Sequence, residues 1–352
     1  MYSFKNDYSE VAHPAILKAM AESNYEQEEG YGYDSYTQEA IRLLKEQIQN
    51  PAVDIHLLTG GTQTNLTAIS AFLKPHHAVI APHTGHIYVN EAGAIEATGH
   101  KVITVPGEDG KLKPNQVEAV LAKHPDEHTV MPKLVYISNP TELGTIYTKK
   151  ELQALKTVCE QNQLYLYVDG ARLGSALMSS NNDMTLAEFA VYPDAFYIGG
   201  TKNGAMMGEA LVIQREEHKE DFRYLMKQKG AMLAKSRILG IQFLELFKGH
   251  LYWDLADHAN HMAMKLQEGL KRNGISFLAE TSTNQLFPIL PDSVILELKE
   301  NYSFYVWEQV DEESSAIRLI TSWATRELMV DAFIEDVKCL MKKRKNKNIA
   351  FA

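Results

Sequence analysis

The sequence contains few cysteines and no long apolar run. Cys159 and Cys339 are the only cysteines among 352 residues, too few for a disulfide framework or a zinc ribbon, and this scarcity fits a reducing compartment. No run approaches the roughly 18 consecutive apolar residues that a membrane-spanning helix needs. The first residues, MYSFKNDYSEVAHP, also lack the apolar centre of a signal peptide. We therefore expect a cytoplasmic protein with no membrane partner.

The chain also has no excess of positive charge. Its formal net charge is −10 and its pI is near 5.7, which argues against nucleic acid or an anionic membrane as the main partner. A hydrophobic content of 45% and a charged content of 23% are ordinary for a soluble globular protein. At 352 residues the chain exceeds the usual size of one domain. We expect one large domain and one smaller domain.

Helical patterns and short β-rich runs alternate from about residue 36 to 215. YTQEAIRLLKEQIQN and TKKELQALKTVCEQN are typical of amphipathic helices, whereas HAVIAP, KVITVP, KLVYIS and LYLYVDG are typical of buried strands. Strands that alternate with helices form parallel sheets with helices on both faces. The pattern predicts an α/β fold with a mostly parallel sheet.

The regions that flank this alternation have a different pattern. From about residue 230 a long helical stretch leads into a smaller α+β region with strands near FPILP and AIRLITSW. The first 35 residues show no clear periodicity, and we expect them to pack on that smaller region. We therefore divide the chain into an N-terminal segment (1–35), a large domain (36–245) and a small C-terminal domain (246–352).

A single lysine, Lys202, stands in the small-residue loop GGTKNG between two apolar runs. The segment is typical of a hairpin whose tip lysine points into water. It is also typical of a reactive lysine, because glycines leave room for a planar ligand and lysine is the residue that forms Schiff bases. The local sequence leaves both interpretations open.

Glycines also follow the predicted strand in LLTGGTQTNLTAI. Gly60, Gly61 and Thr62 stand where a helix begins, and the free backbone N–H groups of a helix N-terminus suit a phosphate group. The alternative is a tight turn capped by Thr62. The segment has neither the lysine of a P-loop nor the spacing of a dinucleotide fingerprint.

An aspartate ends the predicted strand in LYLYVDGARLGSAL. In an open α/β sheet the carboxyl ends of the strands face the ligand crevice, so Asp169 stands where chemistry usually occurs. Its carboxylate could hold a proton on a pyridine nitrogen, and Arg172 could reach a phenolate or carboxylate oxygen. The alternative is a helix-capping aspartate beside a surface arginine.

Two histidines, His83 and His86, have the HxxH spacing that occurs in some metal sites. No third ligand pattern accompanies them, so we predict no metal. An imidazole can also lie flat against a ligand ring. We predict that role for His86.

The order of these pieces resembles the aspartate-aminotransferase-like fold of pyridoxal-phosphate enzymes, which is fold type I. Within that fold the sequence is similar to the threonine aldolase and β-eliminating lyase family. VDGAR is the most specific piece, and it is supported by TGGTQTNL, GHIYVNEAGA, the Tyr31-Gly32 pair and AIRLITSW. The resemblance extends from residue 4 to about residue 325. It implies pyridoxal 5'-phosphate as the cofactor.

The resemblance implies a role for each matching residue. Lys202 would form a Schiff base with the cofactor, and Asp169 would pair with the pyridine nitrogen. The other implied roles are ring stacking by His86, phosphate binding by Gly61 and Thr62, a contact with the phenolate oxygen by Arg172, a clamp on the substrate carboxylate by Arg318, and a reach into the neighbouring subunit's active site by Tyr31.

The sequence departs from the family at several positions. KNDY near the N-terminus has Asn6 where many members have a serine that helps to hold the substrate carboxylate. SNPTELGT has Glu142 near the position where some aldolases have a histidine. The region KQKGAMLAKSR has no obvious phosphate-binding arginine, and Lys229 or Lys235 would take its place. These differences affect the expected substrate more than the expected cofactor.

The resemblance implies a lyase that cleaves L-threonine, L-allo-threonine or related β-hydroxy-α-amino acids to glycine and an aldehyde by retro-aldol cleavage. His86, or a water that it holds, is the candidate base. Another β-eliminating lyase, an aminotransferase and a catalytically silent member of the fold are alternatives. Tyr31, Tyr33 and Tyr36 in EEGYGYDSY suit a subunit interface, so we expect a homodimer or homotetramer with shared active sites.

Overall fold

The computed structural model describes residues 1–350. Its strands are β1 (Tyr2–Ser3), β2 (Asp54–Leu58), β3 (His77–Pro82), β4 (Lys101–Val105), β5 (Met131–Ser138), β6 (Tyr165–Asp169), β7 (Ala195–Gly199), β8 (Glu209–Ile213), β9 (Gln285–Leu286), β10 (Ile289–Pro291), β11 (Tyr302–Ser303), β12 (Tyr305–Gln309) and β13 (Ser314–Ile320). Its α-helices are α1 (Pro14–Glu22), α2 (Ser35–Ile48), α3 (Gly61–Phe72), α4 (His86–Val89), α5 (Pro114–Ala122), α6 (Lys149–Gln161), α7 (Leu173–Leu177), α8 (Leu186–Phe189), α9 (Phe222–Gln228), α10 (Arg237–Phe247), α11 (Leu251–Arg272), α12 (Asp292–Leu298) and α13 (Glu327–Ala350).

The central sheet of the described chain has seven strands in the order β2-β8-β7-β6-β5-β3-β4. Five neighbouring strands pair in parallel, namely β7, β6, β5, β3 and β4. Strand β8 is antiparallel to both of its neighbours, β2 and β7. The predicted strand HAVIAP is β3, and the predicted strand LYLYVDG contains β6, which ends at Asp169. The predicted α/β fold with a mostly parallel sheet is confirmed.

Helices cover both faces of the central sheet, because its middle strands are apolar on both sides. On one face, Leu44 of α2 and Leu246 of α10 pack in a buried cluster with Phe196 of β7. On the other face, Ile69 of α3 packs in a second cluster with Tyr197 of β7. Because successive side chains of a strand point to opposite faces, these two adjacent residues of β7 belong to two different cores.

A smaller sheet lies in the C-terminal part of the chain. Its strand β13 pairs antiparallel with β9, β10 and β12, and Leu266 of α11 and Phe333 of α13 pack in its buried cluster. The strand β1 pairs with β11, and Phe4 joins the same cluster. The first residues therefore pack on the small sheet, whereas Ile16 of α1 packs in a core of the large one.

The predicted long helical stretch consists of two helices, α10 and α11, separated by residues 248–250. Helix α11 contributes Leu255 to a core of the large sheet and Leu266 to the core of the small sheet. The division after residue 245 stays a prediction, because this helix belongs to both cores. Within residues 1–350, no helix combines the length and the apolar character that crossing a membrane requires.

Candidate active site

The carboxyl ends of β6 and β7 face a cavity of about 670 Å³. The N-terminus of α3 and the strands β12 and β13 of the small sheet complete its wall. Many of the residues that the sequence predicts for the site line this cavity, namely Gly61, Thr62, His86, Asp169, Arg172, Lys202 and Arg318. Ligands of α/β proteins bind at the carboxyl ends of parallel strands, so the cavity has the expected position.

Lys202 lies in the wall of the cavity, on the loop between β7 and β8. The Gly200 N–H donates to the Gly208 carbonyl oxygen over 2.9 Å, and a Cβ added at Gly200 would lie only 2.8 Å from that oxygen. The loop therefore needs glycine at this position. Burial, reinforced by the positive charge of Arg172, lowers the pKa of Lys202. The hairpin is present, but the alternative in which its tip lysine points into water is wrong.

Gly60 is the N-cap of α3, and it leaves the start of that helix without a side-chain capping hydrogen bond. The alternative in which Thr62 caps a turn is therefore wrong. Gly61 and Thr62 both line the cavity, and a Cβ at Gly61 would lie 3.0 Å from the Tyr197 hydroxyl oxygen. Uncapped N–H groups and the positive end of the helix dipole suit an anion at this end of the cavity.

Asp169 is a buried carboxylate with four hydrogen-bond donors. Its Oδ1 accepts from the Tyr197 hydroxyl at 2.5 Å and from the Ala171 N–H at 3.0 Å. Its Oδ2 accepts from the Tyr136 hydroxyl at 2.7 Å and from Asn65 Nδ2 at 3.0 Å. Buried charges are found where donors satisfy them in this way. The donors fix both the position and the ionised state of the carboxylate.

His86 lies beside this carboxylate and is held by Glu91. The His86 Nδ1 and Glu91 Oε1 atoms are 2.8 Å apart, and Asn65 Nδ2 donates to the same oxygen at 2.8 Å. Burial alone would lower the pKa of His86, but the hydrogen bond to Glu91 and the charges of Glu142 and Asp169 raise it above its usual value. Burial tends to raise the pKa of Asp169, and the charge of His86 together with the hydrogen bonds brings it below its usual value.

His86, Glu91 and Asp169 offer ligand atoms that all lie within 4.8 Å of one another, a spacing at which a metal could bind. Glu91 Oε1 and both oxygens of Asp169 already accept hydrogen bonds, and Asn65 donates to both carboxylates. Only Glu91 Oε2 among these carboxylate oxygens has no partner in the described part of the chain. This arrangement favours a hydrogen-bonded network over a metal centre. The absence of a metal stays a prediction.

Arg172 forms a bidentate ion pair with Asp7. Its Nε donates to Asp7 Oδ2 at 2.6 Å and its Nη2 donates to Oδ1 at 3.1 Å, with side-chain exposures of 8% for the arginine and 0% for the aspartate. Asn284 Nδ2 donates to Asp7 Oδ2 at 2.9 Å. The alternative of a surface arginine is therefore wrong. The pair joins the N-terminal segment to both sheets.

Arg318 projects from β13 into the cavity wall. Its Nη2 donates to Gln285 Oε1 at 2.8 Å, and its guanidinium carbon lies 5.3 Å from the centre of the Trp307 ring. Its buried Nε finds no hydrogen-bond partner among the described residues. A buried guanidinium with an unused donor is suited to a carboxylate, which binds such a fork through two oxygens.

The remaining predicted residues do not line this cavity within one chain. Asn6 accepts hydrogen bonds from the Tyr8 N–H and the Ser9 hydroxyl, so its side chain forms a local turn. Tyr31, which is 42% exposed, lines a separate cavity of about 240 Å³. Lys235 is exposed. Asp7, the residue after Asn6, is the one that binds Arg172.

Sequence reasoning missed two residues that line the cavity, Tyr197 and Glu209. It also missed four that bond to lining side chains, namely Asp7, Asn65, Glu91 and Tyr136. The tyrosines stand in runs that read as apolar strands, so their hydroxyl groups gave no separate signal. Tyr167 stands two residues before Asp169 and is paired with Tyr136 in the sheet. Because residues two apart in a strand point to the same face, the sequence could have placed Tyr167 on the face of Asp169. Glu91 lies inside the motif GHIYVNEAGA.

Comparison with known proteins gives a consistent result. Residues 4–292 match the family model described as β-eliminating lyase. A low-specificity L-threonine aldolase of a Pseudomonas species is 30% identical, and the match covers 96% of each chain. The structure of a Leishmania major threonine aldolase is 49% identical, with a TM-score of 0.95 over 97% of this chain and 99% of that one.

A more distant comparison bears on the fold alone. A mutant Thermus thermophilus aspartate aminotransferase is 17% identical and superposes with a TM-score of 0.72, covering 96% of this chain and 91% of that one. Together with the aldolase structure, this likeness identifies the fold as the aspartate-aminotransferase-like fold type I.

We predict that Asp7→Asn lowers the free energy of unfolding by about 3 kcal/mol at neutral pH, because it leaves Arg172 as an unpaired buried charge. The ion pair holds the pKa of Asp7 below its usual value, against the opposing effect of burial. The aspartate therefore stabilises the fold above its ordinary pKa of 3.8, and the stabilisation is lost as the pH falls through the lowered value. Urea denaturation of both proteins at neutral pH measures the difference, and repeating it from about pH 5 down to about pH 2 tests its loss in acid.

The matched control is Glu39→Gln. Glu39 also forms an ion pair, with Arg42, but the side chains of both residues are about half exposed. Exposed ion pairs contribute little to stability. Equal effects of the two substitutions would contradict a special role for the Asp7 pair.

Proposed function

The chain belongs to the β-eliminating lyase family, and we propose that it is a pyridoxal-phosphate-dependent lyase that cleaves β-hydroxy-α-amino acids to glycine and an aldehyde. L-threonine and L-allo-threonine are the proposed substrates. The observation that carries the proposal is the convergence on one cavity of a lysine with a lowered pKa, a buried carboxylate, an imidazole and a buried guanidinium.

The cavity fits pyridoxal phosphate in size and in chemistry. Its volume of about 670 Å³ lies in the range of small-molecule sites. At one end, α3 begins without a side-chain cap, as a phosphate group would require. The buried Asp169 keeps a low pKa, so its carboxylate is suited to a protonated pyridine nitrogen. Lys202 is the cavity residue that can form a covalent bond with an aldehyde.

These residues would hold the cofactor as follows. Gly61 and Thr62 would bind the phosphate through their N–H groups, and His86 would stack on the ring. Asp169 would pair with the pyridine nitrogen, and Arg172 would lie near the phenolate oxygen. Lys235 or Lys229 would complete the phosphate site from a neighbouring subunit, since neither lines this cavity.

When bound, pyridoxal phosphate supplies a carbonyl for covalent attachment and a ring that accepts the electron pair of the broken bond. The lowered pKa of Lys202 increases the share of the neutral, nucleophilic amine. Arg318 binds the α-carboxylate of the substrate and so fixes its orientation. His86, or a water that it holds, accepts the proton of the β-hydroxyl group. The hydrogen bond between His86 and Glu91 fixes the imidazole ring in position.

The test of the proposed function is the measurement of glycine and acetaldehyde formed from each threonine diastereomer by the purified protein with pyridoxal phosphate. We predict that Lys202→Ala lowers this activity at least about a thousandfold, because the covalent attachment and a proton carrier are both removed. Borohydride reduction and peptide mapping should then label Lys202 in the wild type.

Lys299→Ala is the control, since Lys299 is an exposed residue at the end of α12 and its loss should leave activity and labelling unchanged. A label on another lysine would refute the proposed site. Transfer of the amino group to a keto acid, without release of glycine, would identify an aminotransferase instead.

We predict that Arg318→Lys lowers kcat/KM for threonine by roughly 30- to 1,000-fold, mainly through a higher KM, because lysine keeps the charge but loses the fork. The visible absorption of the bound cofactor should not change. Arg172→Lys is the informative comparison, since Arg172 would contact the cofactor and its replacement should alter that spectrum. A change below about threefold for Arg318→Lys would mean that another group holds the carboxylate.

We also propose a homodimer or homotetramer in which Tyr31 completes the neighbouring active site. The support is a set of tyrosines that are exposed in the single chain, with Tyr25 at 95%, Tyr33 at 56% and Tyr224 at 78%. Tyrosine combines an apolar ring with a polar tip, and is enriched at interfaces for that reason.

The prediction is that mixing two inactive variants, Tyr31→Ala and Lys202→Ala, restores about a quarter of the wild-type activity, because half of the random dimers are mixed and each has one intact site. A mixture of Lys202→Ala with Arg318→Ala should restore none, since both residues line the cavity of the same chain. Light scattering that shows a fully active monomer would overturn the proposal.

A further inference from the structure

The cavity wall contains a buried acid for which the proposed reaction has no use. Glu209 is the first residue of β8, is 4% exposed and lines the cavity. Its Oε2 accepts a hydrogen bond from the Gly200 N–H at 3.2 Å. A carboxyl group is rarely buried without a paired charge. Its environment therefore calls for a specific explanation.

Glu209 lies at the end of the cavity where α3 begins. In the sheet it is paired with Leu58 of β2 on one side and with Gly199 of β7 on the other. Directly opposed residues of antiparallel strands point to the same face, and Leu58 packs in the same buried cluster as Ile69 of α3. Two residues after Leu58, Gly60 caps that helix. The carboxyl group is thus on the sheet face that α3 covers, next to the segment that leads into its N-terminus.

This end of the cavity is poor in cations. Among the described residues, the lysine and arginine side chains in the wall are Lys202, Arg172 and Arg318, and His86 is held by Glu91. Arg172 is paired with Asp7, and Arg318 contacts the small sheet through Gln285. An ionised glutamate here would repel a phosphate group, whereas a protonated one would donate a hydrogen bond to it.

Burial raises the pKa of Glu209 to about 8, although a hydrogen bond from Thr201 and the charge of Lys202 favour the ionised form. Asp169 is the other charged group whose field acts on it, and it favours the neutral form. The tyrosines that feel the charge of Glu209 are Tyr167, Tyr197 and Tyr252. At neutral pH the balance favours a neutral acid with one O–H donor.

We propose that Glu209 binds the phosphate group of the cofactor as a neutral carboxylic acid, donating a hydrogen bond from its protonated oxygen at the end of the cavity where α3 begins. This inference rests on the proposed pyridoxal-phosphate site. A hydrogen bond from a hydroxyl group to an anionic oxygen is among the strong ones, so the acid adds a donor to those that the N–H groups of Gly61 and Thr62 would supply. Ionisation of Glu209 at higher pH converts this donor into a repelling charge.

The experiment compares the dissociation constants of pyridoxal phosphate and of pyridoxal, measured by equilibrium dialysis at pH 7 and pH 9, for the wild type and Glu209→Gln. For an acid that titrates near pH 8, the wild-type constant for pyridoxal phosphate should rise about tenfold more than that of the glutamine variant between these pH values. Glutamine keeps a neutral donor and does not titrate. Pyridoxal has no phosphate group. Its dissociation constant should therefore change by the same factor between pH 7 and pH 9 in the wild type and in Glu209→Gln, and this change covers the effect of pH on the covalent bond to Lys202, which both ligands form.

Glu142→Gln is the matched control, because Glu142 is another carboxylate in the wall of the same cavity. This variant should keep the wild-type pH dependence of the preference for pyridoxal phosphate over pyridoxal, because any effect of Glu142 on Lys202 is common to both ligands. If Glu209→Gln does not fold, measurements on the wild type alone test the proposal. Its preference for pyridoxal phosphate over pyridoxal, given by the ratio of the two dissociation constants, should fall about tenfold from pH 7 to pH 9.

The inference is overturned if the two proteins show the same pH dependence, or if Glu142→Gln abolishes it as well. A pH effect of equal size with pyridoxal would mean that Glu209 acts on Lys202 and not on the phosphate group. A wild-type protein that binds neither ligand would instead refute the proposed function, and with it this role for Glu209.

Discussion

The geometry of the site depends on one buried charge, the carboxylate of Asp169. A carboxylate that leaves water loses its hydration, and donors must replace it. The donors come from three elements besides its own strand, with Tyr136 on β5, Tyr197 on β7 and Asn65 on α3. Each donor can reach the carboxylate only if its strand or helix has the observed register. The requirement to satisfy one charge therefore also aligns the strand ends and the start of α3 around the cavity.

A second charge, Asp7, connects this arrangement to the small sheet. Its carboxylate accepts from Arg172 just beyond β6 and from Asn284 just before β9. Arg318 on β13 is oriented by Gln285, the first residue of β9. The groups that would bind the two ends of a substrate thus belong to different sheets and are held by contacts at their junction. A small shift of one sheet against the other would change the distance between Arg318 and Lys202, which gives the junction a direct influence on substrate orientation.

The sequence predicts the parts of this site that depend on local chemistry. Asp169 at a strand end and Lys202 in a glycine loop are visible because strand periodicity and glycine spacing are local features. Asp7 is not visible, because its partner Arg172 is 165 positions away and the neighbouring Asn6 is an equally plausible polar residue. Tyr197 is missed for a different reason. Its ring fits the apolar pattern of β7, and only the three-dimensional register reveals that its hydroxyl group has a buried partner.

The surroundings of Lys202 explain why a lysine can be placed in this loop. Asp7, Glu142 and Asp169 all favour its charged form, whereas burial and Arg172 favour the neutral amine, and the latter two effects are the larger. Burial is the largest single effect, because removal from water disfavours the charged ammonium form. Asp7 is close enough to stabilise the charge, but its bidentate bond to Arg172 offsets much of its field. A lysine at the tip of an ordinary polar hairpin would keep its hydration and its charge. The acids around Lys202 thus stop the amine from becoming too weak a base without making it a permanent cation, and a nucleophile that must also carry a proton needs this balance.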